Sequence, residues 1–218
     1  MTIYLNSKSK GLLLLVLLMA ETALGQAPPT TEQVLARLGV ALDRSTLYKT
    51  LHDQRPEARS AAAAELAEIM DVDSIPEMKA VISREQNKQV IFTLAQSLNI
   101  LGSPEGTIRL EAYCSDPKQL ADVRIDAATD LAYTKNYKCL SSVTQYLTSK
   151  DSSLKQSVLL YMLQIPSFQK DSPPGLGHVL MAVAMEDSDP YLRTLAGRVI
   201  DQIGDETTKA NYRDRSTK

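Results

Sequence analysis

The stretch RPEARSAAAAELAEI, residues 55–69, decides the fold. Within it Arg59 is followed by Ala62, Ala63 and Leu66, three, four and seven positions later. On an α-helix those offsets fall on one stripe. The same order of a basic residue and then small or apolar residues recurs four more times. Lys88 precedes Ile91, Phe92 and Ala95, and Arg124 precedes Ala127, Ala128 and Leu131. Lys155 precedes Val158, Leu159 and Met162, and Arg193 precedes Ala196, Gly197 and Ile200. The leading residues are spaced by 29, 36, 31 and 38 positions. A helical stripe repeating at that period marks stacked helical pairs. No window alternates apolar and polar residues as a strand would. The chain is therefore expected to be all-α, a right-handed α-solenoid of about five to six pairs.

Each pair reads as a helix A carrying the stripe, a turn, and a helix B. Thr30 with Gln33 has the form of a capping box, and Ser45 is expected to cap the next helix. These two helices, within residues 26–54, make an irregular first pair. Pro56 suits the start of the following helix. Its partner runs from Ile75 to Arg84, with Met78, Val81 and Ile82 inward. Later pairs combine Asn87–Leu101 with a helix ending at Cys114, and Leu120–Tyr133 with Tyr137–Thr148. Ser152–Ile165 is followed by an insertion, Pro166 to Gly177, and then by His178–Glu186. A last helix runs from Asp189 to Ile203. Residues 211–218 are expected to be a flexible, charged tail.

The N-terminus has the form of a cleavable signal peptide, residues 1–25. Lys8 and Lys10 precede the apolar run Leu12–Ala20, and Ala23-Leu24-Gly25 offers small residues at a cleavage site. The apolar run is about half the roughly 20 residues needed to span a bilayer. The expected location is periplasmic or secreted, and the leader has a bacterial form.

The chain has 24 basic and 26 acidic residues. Loss of Lys8, Lys10 and Glu21 with the leader leaves 22 and 25, a net charge of about −3. That balance argues against nucleic-acid or anionic-membrane binding, which draw on basic excess. Cys114 and Cys139 are the only cysteines. Placed on corresponding helices of successive pairs, they are expected about a helix length apart and so to be buried free thiols.

RPEARSAAAAELAEI, DVRIDAATDLAY (122–133) and DPYLRTLAGRVIDQIGD (189–205) resemble HEAT repeats, especially the short HEAT-like kind of phycobilin lyases. The shared marks are Pro56 or Pro190, then Arg59, Arg124 or Arg193, the small residues after it, and Ile203-Gly204-Asp205. The resemblance spans about residues 55–210, with Lys88 and Lys155 replacing arginine in two units. It implies that B helices line a concave binding face. Residues off their apolar stripes, Lys79, Arg84, Arg109, Tyr113, Gln145 and Tyr146, are the candidate binding residues.

No catalytic constellation is apparent. His52 and His178 have no second His or Cys at metal-ligand spacing, so no metal or other cofactor is expected. Paired acids such as Asp71 and Asp73 read as helix caps. The three arginines are expected to pair with carboxylates in neighbouring turns. The function expected is a non-enzymatic protein-binding or scaffold module with a protein partner. The alternative is a lyase-like enzyme acting on a bound chromophore or small molecule.

Overall fold

The computed structural model describes residues 29–165 and 175–216. Residues 1–28, where a leader is expected, residues 166–174 of the insertion, and residues 217–218 lie outside them. Among the described residues there are twelve α-helices and no strand. They are α1 (Thr31–Arg37), α2 (Arg44–Thr50), α3 (Pro56–Glu68), α4 (Ile75–Arg84), α5 (Lys88–Ile100) and α6 (Pro104–Ser115). Then follow α7 (Ala121–Tyr133), α8 (Leu140–Thr144), α9 (Ser152–Met162), α10 (Leu176–Glu186), α11 (Pro190–Ile203) and α12 (Glu206–Ser216). Neighbouring helices pack in pairs, and the contacts divide them into two compact units meeting at Thr107 and Ile108. None is long and apolar enough to cross a membrane.

The first unit is built on α3, which packs against α1, α2 and α5. Its alanine run explains this: Ala58, Ala62, Ala63 and Ala67 are fully buried, and small side chains let several neighbours approach at once. Helix α4 packs on α5 through its apolar stripe and buries Met78, Val81 and Ile82 as the periodicity predicts. Thr30 and Gln33 form the expected capping box. The cap of α2 is Asp43 rather than Ser45: its carboxylate accepts from the Thr46 N–H at 3.0 Å, which places the helix start two residues earlier. A Cβ at Gly106 would stand 2.6 Å from the carbonyl oxygen of Ala95, so only glycine admits this approach of α6 to α5.

In the second unit α9 packs between α7 and α11, and α10 packs on α11. The stripes meet here: Ala127, Ala128, Leu131, Val158, Leu159, Met162, Ala196 and Ile200 are all fully buried. Two expectations fail. Cys114 and Cys139 are not free thiols a helix length apart; they form a disulfide with Cα atoms 5.9 Å apart. The reason lies in the connection after α7. A continuous helix from Tyr137 was expected, but Thr134–Cys139 stays outside the helical path and α8 begins only at Leu140. Non-helical backbone covers up to about twice the distance per residue. The connection thus carries Cys139 back along α6, where Asn136 and Lys138 bond Glu111 on the way.

The second difference is at the end of the chain. Residues up to Ser216 are helical instead of forming a tail from Asn211. Asp205 caps α12 through the N–H and hydroxyl of Thr208, both at 2.8 Å. Helix α12 then packs on α10 and α11 over two glycines: Thr208 lies against Gly177, and the Tyr212 ring against Gly197.

Two outcomes test this packing. Ala128→Leu should overfill the stripe and cost about 1–3 kcal/mol in urea unfolding. An unchanged unfolding midpoint would show that the stripe does not face the core. Replacing both cysteines by alanine should cost about 3–4 kcal/mol, from release of a closed loop with a sequence separation of 25. Equal stability of the oxidised protein and the variant would contradict the cross-link.

Candidate functional site

The three arginines that lead stripes hold main chain. Arg59 donates to the carbonyls of Asp53 and Gln54 at 2.7 and 3.0 Å, and Arg193 to those of Asp187 and Ser188 at 2.7 and 3.4 Å. Arg124 donates to Cys114 at 2.9 Å and Ser142 at 3.0 Å. Carboxylates complete two of the sites. Arg59 binds both Glu85 oxygens, at 2.7 and 2.9 Å, and Lys155 pairs with Asp187. Burial pushes the Glu85 carboxyl up, but the Arg59 bonds and main-chain N–H groups outweigh it and hold it below the ordinary range. Asp187 is lowered chiefly by its bond from Lys155.

Among the described residues Arg193 bonds carbonyls and no carboxylate, and Arg124 likewise departs from the expectation of a carboxylate partner. Arg124 is 6% exposed and is satisfied by two carbonyls, the Tyr146 hydroxyl at 2.8 Å, and the Tyr146 ring. A guanidinium accepts this arrangement because its charge is delocalised over a donor fork that also stacks on aromatic faces.

Each candidate binding residue has a definite setting. In the first unit Lys79 and Arg84 lie on the exposed stripe of α4 with Pro76, Ala80 and Ser83. Lys79 sits 3.8 Å from Glu105. Arg84 donates to His52 Nδ1 at 2.7 Å, while His52 Nε2 lies 2.6 Å from Glu77. Since Arg84 can only donate, the imidazole must accept at Nδ1 and donate from Nε2 to Glu77. His52 and Arg84 line a cleft of about 370 Å³ with Leu51, Asp53, Val81 and the Arg59–Glu85 pair. Its histidine and both arginines already bond other side chains.

In the second unit Arg109 and Tyr113 are half-buried on α6. Burial raises the Tyr113 hydroxyl above its usual range. Gln145 is exposed and bonds the Ser142 carbonyl, whereas Tyr146 is committed to Arg124. Lys79 and Gln145 are thus exposed with partners of their own, while Arg84 and Tyr146 bond side chains of other elements.

A second concavity is lined by none of those six residues, although Gln145 and Tyr146 belong to the turn beside it. A groove of about 390 Å³ runs between α10 and the 3₁₀ turn Gln145–Thr148 that continues α8. Leu147, Val179, Ala182 and Val183 form its apolar lining, and His178 and Glu186 lie on its exposed rim. The buried Lys155–Asp187 pair lines it as well. Helix α10 creates the groove because it is apolar nearly all round. Leu176, Leu180, Met181, Val183 and Ala184 face the core, which leaves Val179 and Ala182 on the outer side. His178, singled out in the sequence, is neither cap nor ligand here. It makes no hydrogen bond or ion pair among the described residues. No group of three or more His, Cys, Asp or Glu side chains among them is placed to hold a metal.

Fold and groove together define a class: an all-helical protein of packed helical pairs with a mainly apolar groove between α10 and the 3₁₀ turn after α8. No protein-family model matches the sequence, and no curated protein does so either.

One titratable group near this layer stands apart. Asp126 on α7 accepts no hydrogen bond, and burial, with Asp122 four residues before it, pushes its carboxyl from 3.8 up to about 6. The charged form is thus disfavoured by folding, and stability falls as pH rises from about 4 to 6. Asp126→Asn should stabilise the protein at pH 7 by about 1–2 kcal/mol and leave it unchanged at pH 4. Urea unfolding at the two pH values checks this, and a pH-independent effect would contradict it.

Proposed function

We propose that the chain is an exported, HEAT-like α-solenoid that binds a protein partner through its B-helix side and catalyses no reaction. The observation that carries this reading is the groove beside α10, an apolar concavity lined by a B helix and by the turn that continues another. Exposed apolar concavities with a polar rim mark binding sites on proteins. The period of the five stripes and the resemblance of residues 55–210 support the solenoid and its repeat family. The Cys114–Cys139 disulfide supports export, since such bonds persist in oxidising compartments.

Affinity capture tests the reading. Residues 26–218, and the same chain with Ala182→Glu, would be used to capture proteins from the envelope fraction of the host. Ala182 is exposed, so the substitution fills the groove without disturbing the core. The expected result is a stoichiometric protein partner retained by the first and lost by the second. A co-purifying pigment or small molecule with no protein partner would replace this reading with the lyase-like one.

A further inference from the structure

We infer that the groove beside α10 takes an amphipathic helical segment of its partner, with two aliphatic side chains one turn apart and a lysine or arginine one turn further on. The inference rests on the binding-module reading and specifies the chemistry of the partner.

Three observations carry it. One wall of the groove is helix α10 and the other is the short 3₁₀ turn with Ser149, so the groove presents no strand edge. An extended peptide would find no edge to pair with, whereas a helix brings its own backbone bonds satisfied. The lining offers Leu147, Val179, Ala182 and Val183 to an apolar face. Small Ala182 at the middle of the α10 side leaves the depth that an aliphatic side chain fills. From His178 to Glu186 the groove follows α10 for about 12 Å, two helical turns.

Charge decides the rest. Lys155 and Asp187 neutralise each other, and Arg193 binds the carbonyl of Asp187. Glu186 has no ion-pair partner among the described residues and is exposed on the rim. It is the one uncompensated charge lining the groove when His178 is neutral. A partner helix with its apolar anchors over Val179 and Val183 brings its next turn alongside Glu186. A cation there gains a partner, and a carboxylate there meets a like charge.

The test uses two fluorescein-labelled, capped alanine-based 14-residue peptides. Both carry leucine at positions 4 and 8; one carries lysine at position 11 and the other glutamate. Binding is read by fluorescence anisotropy at low salt. The lysine peptide should bind roughly threefold to tenfold more tightly, as expected for gain of one exposed pair and loss of one repulsion. Glu186→Lys should invert the preference, and Ala182→Glu should abolish binding of both peptides with the helical circular dichroism unchanged. Failure of both peptides to bind at millimolar concentration overturns the inference, as does a lysine preference that persists in Glu186→Lys. Partner capture sensitive to Ala182→Glu, alongside a failed peptide preference, would leave the binding-module reading standing without this chemistry. Loss of both results would remove both.

Discussion

A guanidinium one turn into a helix reaches back to main-chain carbonyls just before that helix and ties the helix start to the preceding turn. Arg59 and Arg193 make this bond, whereas Arg124 reaches the Cys114 carbonyl at the end of α6 and that of Ser142 in α8. Carbonyls at the end of a helix lack intrahelical donors, and a cation near them also complements the helix dipole. The bond fixes where the next A helix starts, and hence which residues of that helix face inward. The alanines and glycine that follow then allow neighbouring helices to approach closely. Where lysine replaces arginine the device changes: Lys155 cannot fork across two carbonyls and instead pairs with Asp187.

This explains which parts of the molecule were legible in the sequence. The boundaries of α4 and its inward Met78, Val81 and Ile82 follow from periodicity alone, because a single apolar face has one way to be buried. The fully buried Ala127 and Ala128 follow for the same reason. The disulfide was not legible, since it depends on six residues between α7 and α8 that carry no periodic signal. Asn136 and Lys138, which bond Glu111 there, look like ordinary turn residues in sequence. The α12 contact was equally hidden: Gly177 and Gly197 gain their meaning only once Thr208 and Tyr212 lie over them.

The six candidate binding residues lie off the apolar stripes, and two of them, Arg84 and Tyr146, are engaged by His52 and Arg124. The signal for the groove was present in Val179 and Ala182. Both occupy the side of α10 that a solvated B helix would fill with charge. An apolar residue where a charged one costs nothing is more informative than another polar one.

Helix α12 has a consequence for the side of α10 and α11 that it covers. It lies on both, buries Thr208, and turns Glu206, Arg213, Asp214 and Arg215 outward. What faces outward there is a charged helix side instead of the small residues beneath it. Gly177 and Gly197 set how closely this exchange is made, since a Cβ at either position would run into Thr208 or Tyr212.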